Sequence, residues 1–288
     1  MALGFGGALV GACARPWGPL RPAPVPGPYT PPQPDLSALR VAYGPAPQQF
    51  ADLRLPQGSG PYPVVIVVHG DFWRADHGLE RTRPVCDALR AEGIATWNVE
   101  YRRIGEPGGG WPGTFLDLAD ATDHLRQLAP QHQLDLGRVV ALGHSAGGQL
   151  SLWLAGRRWI RDGELVDPDP LRLQGAVSLA GLVDLARAWA LGFEVVGQVM
   201  GGTPDDVPSR YGSASPAELL PLGVPQVLVH GSDDRVVPAE LSRDYYAAAL
   251  RRGDEVRLVT LPGVGHDELI DPASRAWPAV SDAVISLL

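Results

Sequence analysis

One serine in this chain stands where a side-chain hydroxyl can act as a nucleophile. Residues 143–147 read Gly-His-Ser-Ala-Gly, which places Ser145 in a G-x-S-x-G pattern. A strand pattern precedes it and a helical pattern follows it, so we predict a sharp strand-to-helix turn. Such a turn exposes the hydroxyl above the sheet, and small neighbours permit the close packing. The alternative is a serine that only caps the helix. We predict that Ser145 attacks the carbonyl carbon of an acyl compound.

The groups that would accept the serine proton lie further along the chain. A serine hydroxyl needs a general base, and a carboxylate must orient that base. After a turn of this kind the expected chain order is serine, acid, histidine. His266 is the only histidine C-terminal to the adjacent pair Asp233 and Asp234. We therefore predict that His266 is the base and that one of these two aspartates is the acid.

Backbone N–H groups near the serine are candidates for stabilising the negative charge that forms on the carbonyl oxygen. The N–H of Ala146 opens the predicted helix, whose N-terminus favours negative charge. We predict that the other donors are the N–H groups of Asp71 and Phe72, in the loop after the first long buried strand. Aspartate tolerates left-handed backbone angles better than most residues. The Asp71 carboxylate should then point away from the developing charge.

Two tryptophans are candidate walls of a substrate pocket. Trp73 directly follows Phe72, and Trp111 follows a run of three glycines. We predict that both tryptophans border the substrate; for Trp111, anchoring of its own loop is an equal alternative.

The elements that must position these groups alternate along the chain. Residues 64–68 form a continuous β-branched run, which favours a strand buried on both faces of a mainly parallel sheet. Residues 40–42 and 50–55 predict an antiparallel N-terminal hairpin. Further strand patterns cover 94–99, 138–142, 175–179, 226–229 and 256–261, and helical patterns cover 83–91, 116–128, 146–154 and 239–251. This alternation predicts a doubly wound α/β domain.

The chain divides into an N-terminal segment, residues 1–34, and one large domain, residues 35–288. A length of 288 residues permits a single domain of this size. Within the domain, residues 181–225 break the alternation and contain scattered apolar residues, glycines and prolines without a clean strand. A long irregular stretch inside a compact domain is usually a lid or binding segment. We predict a small cap here, after the sixth strand.

Residues 1–34 are similar to an export signal followed by a spacer. An apolar run over 3–10 leads into Val-Gly-Ala-Cys, which resembles the lipobox of bacterial lipoproteins, and a proline-rich stretch follows. We predict a lipid anchor on Cys13 and an exported protein. However, no arginine or lysine precedes the apolar run, whereas signal peptides normally begin with a charged region. The alternative is an N-terminal tail on a cytoplasmic enzyme.

Charge and cysteine content exclude some classes of function. The formal net charge of −8 at pH 7 disfavours nucleic acid or an anionic membrane surface as a partner, because both require a basic face. The two cysteines, Cys13 and Cys86, form no Cys-x-x-Cys motif and no Cys/His cluster. A zinc site built on thiolates is therefore excluded.

Residues 40–288 resemble a bacterial α/β-hydrolase of the branch that contains feruloyl-esterase-like enzymes and kynurenine formamidase (arylformamidase). The resemblance rests on His-Gly-Asp-Phe-Trp-Arg at 69–74, Asn-Val-Glu-Tyr-Arg-Arg at 98–103, Gly-Gly-Trp-Pro-Gly at 109–113, Gly-His-Ser-Ala-Gly-Gly at 143–148, Ser-Pro at 215–216, Gly-Val-Pro-Gln at 223–226, the loop 230–238 and Gly-His at 265–266. The pattern H-G-x-x-D-x-x-V-P of this superfamily places the acid at Asp234. Related enzymes often carry His-Gly-Gly where this chain has Asp71 as the third residue.

The resemblance implies an α/β-hydrolase fold and the activity of a serine esterase. It implies that Ser145, Asp234 and His266 cleave a small carboxylic ester through an acyl-enzyme intermediate, with no metal and no organic cofactor. Three alternatives stay open. They are an arylformamidase-type amidase with the same three residues, a prolyl-oligopeptidase-like peptidase, which the lack of a propeller domain disfavours, and a non-catalytic binding protein of the same fold.

Overall fold

The computed structural model describes residues 37–288. The predictions for residues 1–34, including the lipid anchor on Cys13, lie outside the described residues. Within residues 37–288, none of the helices combines the length and the apolar character that a membrane crossing requires.

One sheet of eight strands runs through the described part of the chain. Its strands are β1 (Leu39–Ala42), β2 (Phe50–Arg54), β3 (Tyr62–Val68), β4 (Ala95–Val99), β5 (Leu134–His144), β6 (Gly175–Leu179), β7 (Gln226–Gly231) and β8 (Val256–Leu261). Their order across the sheet is β1-β2-β4-β3-β5-β6-β7-β8. β2 pairs antiparallel with β1 and β4, and the other neighbouring pairs are parallel. The predicted mainly parallel sheet and N-terminal hairpin are confirmed.

The side chains of β3 show why this strand is apolar along most of its length. Val64, Ile66 and Val68 belong to the apolar cluster on one face of the sheet, and Val65 and Val67 belong to the cluster on the other face. Successive side chains of a strand point to opposite faces. A central strand covered on both sides therefore needs apolar residues at consecutive positions.

Helices cover both faces of the sheet. They are α1 (Arg83–Ala91), α2 (Gly113–His132), α3 (Ala146–Gly156), α4 (Leu185–Ala190), α5 (Val195–Met200), α6 (Pro208–Ala214), α7 (Ala239–Arg251) and α8 (Trp277–Ile285). α1 and α8 contribute side chains to one apolar cluster, whereas α2, α3 and α7 contribute to the other. The predicted bounds of α1 and α7 are confirmed, but α8 is absent from the predictions.

Residues 181–225 contain no strand, as predicted, but they are more regular than the sequence suggested. They hold the three short helices α4, α5 and α6. Two side chains of α3 donate hydrogen bonds to the C-terminal end of α6: Gln149 to the carbonyl of Ala214 at 2.8 Å, and Trp153 to that of Ser213 at 3.0 Å. These contacts dock the segment onto α3. Its role as a cap stays a prediction.

Candidate active site

Ser145 occupies the sharp turn between β5 and α3. Its backbone angles are φ 57° and ψ −121°, a region that residues other than glycine rarely adopt. The N–H of Ser145 donates to the carbonyl oxygen of Leu179 at the end of β6, with a distance of 2.8 Å. This hydrogen bond holds the turn against the neighbouring strand. The structure thus contains the strained strand-to-helix turn that the G-x-S-x-G pattern predicts.

The glycines around the turn are required by close packing. A Cβ on Gly143 would lie 1.9 Å from the carbonyl oxygen of Gly147, and a Cβ on Gly147 would lie 2.2 Å from that of Val68. Both contacts involve backbone, which cannot yield without moving α3 or β3. In the loop after β3, a Cβ on Gly70 would lie 3.0 Å from the Cβ of Ser145. The loop and the serine turn are therefore in direct contact.

The loops after β7 and β8 bring His266 and Asp234 together. Nδ1 of His266 lies 2.7 Å from Oδ2 of Asp234. An ionised carboxylate only accepts hydrogen bonds, so the ring donates from Nδ1. Asp233 is exposed instead, and its carboxylate accepts a hydrogen bond from the hydroxyl of Ser232. The carboxylate next to the His266 ring is that of Asp234, and that of Asp233 points into solvent.

Hydrogen bonds keep the buried Asp234 carboxylate ionised. Burial alone favours the neutral acid. However, Nε2 of His230 lies 3.3 Å from Oδ2, and the N–H groups of Val236 and Val237 donate to Oδ1 at 2.7 and 2.9 Å. Together with His266, these groups outweigh burial and hold the pKa of Asp234 well below its usual range. Asp234 is therefore negatively charged at neutral pH.

His144 lies beside His266 and supports its backbone. Nε2 of His144 is 3.1 Å from the carbonyl oxygen of His266, and the two ring centroids are 4.4 Å apart. Burial, together with the nearby His266 ring, lowers the pKa of His144 well below its ordinary value. His144 is thus a neutral imidazole that donates from Nε2 to this carbonyl.

The loop of residues 69–74, called the 69–74 loop below, has a left-handed backbone. Asp71, Phe72 and Trp73 have φ angles of 67°, 54° and 55°. Left-handed angles in residues other than glycine cost on the order of 1–3 kcal/mol each. The N–H groups of Asp71 and Phe72 donate to no acceptor within residues 37–288. The N–H of Ala146, the first residue of α3, has no acceptor inside its own helix. These donors suit an anion.

The Asp71 carboxylate forms an ion pair with Arg81. Its Oδ2 lies 3.6 Å from Nε of Arg81, and the same guanidinium contacts Oδ1 of Asp267 at 2.8 Å. A carboxylate paired with an arginine opposes a nearby negative charge less than an isolated carboxylate does. The Arg81–Asp267 pair also connects the 3-10 helix Leu79–Thr82 to the residue that follows His266.

A cavity of about 170 Å³ lies against both Ser145 and His266. The rest of its wall comes from separate parts of the chain: Gly70, Asp71, Phe72, Arg81, Thr82, His144, Val236, Asp267 and Ile270. The wall contains both apolar and charged side chains. In the described part of the chain, no cluster of His, Cys, Asp or Glu side chains could hold a metal ion.

The two tryptophans lie away from this cavity. Trp73 is fully buried in the main apolar cluster. The prediction that Trp73 borders the substrate pocket is therefore corrected. Trp111 lines a different groove of about 580 Å³, where its ring N–H donates to Glu164 at 2.5 Å. Its backbone N–H donates to the carbonyl of Val199 at 2.7 Å. These contacts fit the alternative of a loop anchor.

The sheet order, the serine turn and the chain order of Ser145, Asp234 and His266 together define an α/β-hydrolase. This class agrees with the resemblance drawn from the motifs. Residues 51–249, more than half of the chain, match the BD-FAE family. The chain belongs to this family of α/β-hydrolase esterases.

Several proteins that are similar to this chain are named as esterases. LipC of Mycobacterium tuberculosis, an esterase, is 30% identical over 81% of this chain and 60% of LipC. A probable isoprenylcysteine alpha-carbonyl methylesterase of Arabidopsis thaliana, ICMEL1, is 24% identical over 86% of this chain and 55% of its own length. This chain thus spans less than two thirds of either relative. The butyrate-bound esterase Est2 of Thermogutta terrifontis has the same fold: its TM-score is 0.72 at 20% identity, over 88% of this chain and 94% of Est2.

Several groups at the site were not singled out from the sequence. His230, near the end of β7, contacts Asp234 four residues further along the chain, so the spacing of these two residues was an available signal. Arg81 and Ile270 reach the cavity from distant segments. No local pattern marks either residue, because only the folded sheet brings these segments next to Ser145.

Proposed function

We propose that this protein hydrolyses small carboxylic esters, with Ser145 as the nucleophile, His266 as the base and Asp234 as the acid that orients the ring. The observation that carries the proposal is the 2.7 Å contact between His266 and Asp234, at a cavity that also borders Ser145. The neutral Nε2 of the ring is left to accept a proton, because Nδ1 already donates to the carboxylate.

In the first half of the reaction, His266 removes the proton of Ser145 while the serine oxygen bonds to the ester carbonyl carbon. The carbonyl oxygen becomes an oxyanion, which the N–H groups of Ala146, Asp71 and Phe72 stabilise. One such donor typically contributes about 3 kcal/mol. His266 then protonates the alkoxy oxygen, the bond to that oxygen breaks and the alcohol leaves.

In the second half of the reaction, a water molecule enters the site that the alcohol has left. His266 accepts a proton from the water molecule as its oxygen attacks the acyl-enzyme carbonyl. The tetrahedral intermediate collapses, the Ser145 oxygen takes the proton back from His266, and a carboxylic acid leaves. The charge of Asp234 stabilises the imidazolium in both halves.

The size of the cavity supports short acyl groups as substrates. Its volume of about 170 Å³ accommodates an acyl group of a few carbons, and Phe72, Val236 and Ile270 supply apolar contacts for such a chain. The butyrate-bound Est2 has the same fold. We therefore expect acetyl to butyryl esters to be cleaved faster than long-chain esters.

A panel of 4-nitrophenyl esters of increasing acyl length tests the proposal. The wild-type protein should release 4-nitrophenol with a preference for short chains, and Ser145→Ala should abolish enzymatic turnover. Full turnover by Ser145→Ala would refute the assigned nucleophile. N-formylkynurenine and acyl-peptide substrates belong in the same panel: cleavage of either without any ester hydrolysis would replace the esterase by an amidase or a peptidase.

The predicted lipid anchor on Cys13 remains part of the proposal for the whole protein. It is supported by the lipobox-like sequence alone. The full chain should partition into detergent with the membrane fraction of a bacterial host, and Cys13→Ser should release it. An unchanged distribution of the two forms would rule out the anchor.

A further inference from the structure

The 69–74 loop adopts a costly conformation that its own residues do not favour. Three consecutive residues, Asp71, Phe72 and Trp73, have left-handed backbone angles and none is glycine. Such angles persist only where surrounding contacts determine the backbone. The contacts that do so here come mostly from one neighbouring segment, residues 100–106, which follows β4.

Residues 100–106 bind the backbone of the loop and its continuation at three carbonyl groups. The Tyr101 hydroxyl donates to the carbonyl oxygen of His69 at 3.0 Å, and the N–H of Ile104 donates to that of Trp73 at 2.8 Å. Further on, the Arg103 guanidinium donates to the carbonyl of His77 at 2.6 Å. The loop is therefore held at both of its ends.

Glu100 lies at the centre of this support. Its side chain is fully buried, and Oε1 accepts from Nε2 of His69 at 3.0 Å and from the N–H of Tyr101 at 3.1 Å. Oε2 accepts from the N–H of Leu79 at 3.2 Å, and Arg103 lies 3.4 Å from Oε1. One carboxylate thus joins the start of the 69–74 loop, the segment that supports it and the 3-10 helix that carries Arg81.

The pair of His69 and Tyr101 transmits this support to the serine turn. The two rings are stacked, with centroids 4.3 Å apart. The carbonyl of His69, which receives the Tyr101 hydroxyl, also faces the first turn of α3: a Cβ on Gly147 would lie 2.5 Å from it. A shift of His69 therefore changes the position of the loop relative to Ser145.

We infer that Glu100 and Tyr101 are positioning residues that hold the 69–74 loop so that the N–H groups of Asp71 and Phe72 point to the oxyanion. This inference rests on the proposed ester hydrolysis. Neither side chain lines the cavity, so both act through the loop. Burial disfavours the charged form of Glu100, but His69 and Arg103 lower its pKa nonetheless, so the carboxylate is available as an acceptor at neutral pH.

A misplaced loop should weaken transition-state binding more than substrate binding. The charge on the carbonyl oxygen develops only after attack, so donors aimed at it act mainly on the tetrahedral species. We expect Glu100→Gln and Tyr101→Phe to lower kcat on the order of tenfold or more, with KM changed by less than about threefold. Tyr101→Phe removes a single oxygen atom, so it remains a usable test variant if Glu100→Gln does not fold.

An aryl trifluoromethyl ketone provides the decisive probe. The Ser145 oxygen bonds to the ketone carbon, its proton moves to His266, and the ketone oxygen becomes an oxyanion that needs the same N–H donors. Across wild type and both variants, the inhibition constant should rise in proportion to KM/kcat for a 4-nitrophenyl ester. The melting temperature of each variant is measured alongside.

Asp167→Asn is the matched control, because it also removes a carboxylate from an ion pair with a buried arginine. Asp167 contacts Arg157 at 2.6 Å, away from the 69–74 loop. The control should lower the melting temperature but leave kcat and the inhibition constant near wild type. If folded Glu100→Gln or Tyr101→Phe protein had the wild-type kcat and inhibition constant, this inference would be overturned, and the proposed function would still stand. A wild type that cleaves no ester would overturn the proposed function and the inference with it.

Discussion

The contact of His266 with Asp234 fixes which of its two ring nitrogen atoms carries the proton. Nδ1 donates to Asp234 at 2.7 Å, so the neutral ring carries its lone pair on Nε2. Asp234 itself is held by two backbone N–H groups and by His230. The Asp234 carboxylate therefore has a fixed orientation against the His266 ring.

Replacement of Asp234 should damage catalysis far more than replacement of its neighbour. Asp234→Asn leaves a side chain of the same size but favours the wrong tautomer of His266, so we expect kcat to fall on the order of 10⁴-fold. Asp233→Asn alters an exposed carboxylate and is the matched control, with activity close to wild type. Steady-state kinetics on a short-chain ester measures both. Comparable losses in the two variants would contradict the assignment of the acid.

The sequence was sufficient to predict which residues come together at the cavity where a motif or the chain order marks them. Ser145 and His266 are marked by a motif and by chain order, and the family pattern selects Asp234 over Asp233. Trp73 could not be placed correctly, because it lies in a stretch of left-handed backbone that no local propensity favours. Ile270 could not be found, since its contact with the cavity arises only from folding.

The turn between β5 and α3 is the element that positions Ser145, the proposed nucleophile. β5 lies next to β3 and β6 in the sheet, and α3 packs directly on the end of β3 through Gly147. The strained angles of Ser145 are thus imposed by packing on three sides. The energy for this strain comes from burial of the surrounding strand and helix.

A methyl group at Gly147 should destabilise the protein, whereas a methyl group on an open helix face should not. Gly147→Ala brings a Cβ to 2.2 Å from the backbone of β3, and such overpacking costs about 1–3 kcal/mol. Gly212 in α6 has no atom within 4 Å of the same position, so Gly212→Ala should stabilise by about 0.5–1 kcal/mol. Urea unfolding at pH 7 compares the two variants. Equal stabilities would contradict this view of the turn.

The elements that form the central layers of the domain were predictable, and the short helices of residues 181–225 were not. The bounds of α1, α7, β6 and β8 match the sequence patterns. The helices α4 to α6 have six or seven residues each, too short to show a helical period against scattered glycines and prolines. Their conformation depends on docking onto α3 and the core.

The fold as a whole explains why residues 145, 234 and 266 lie at the same edge of the sheet. Each follows the carboxyl end of a strand, β5, β7 or β8, and these strands run parallel in one sheet. Parallel strands end at the same edge, where α/β proteins form their sites. Apolar clusters on the two faces of the sheet hold this edge rigid, so the loops that carry the chemistry start from fixed positions.

The stability of the folded protein should depend on the charge of Asp234 in acid. The pKa of this carboxyl is lowered in the folded protein, whereas an unfolded aspartate titrates near about 3.9. Its contribution is therefore present above about pH 4 and is lost as the pH falls from there through the lower folded pKa. Urea unfolding should show wild type more stable than Asp234→Asn at pH 7, with a smaller difference at pH 3. A difference independent of pH would contradict the lowered pKa.

The covalent reaction of diethyl 4-nitrophenyl phosphate with the folded protein tests the central claim most directly. Attack by the serine oxygen on phosphorus forms a diethylphosphoryl ester and releases 4-nitrophenolate, and mass spectrometry of the digested protein locates the adduct. We predict one adduct per chain, on Ser145, with loss of ester hydrolysis in proportion, and much slower labelling of His266→Ala. Ester hydrolysis that persists after complete modification of Ser145, or an inactivating adduct on another residue, would contradict the account.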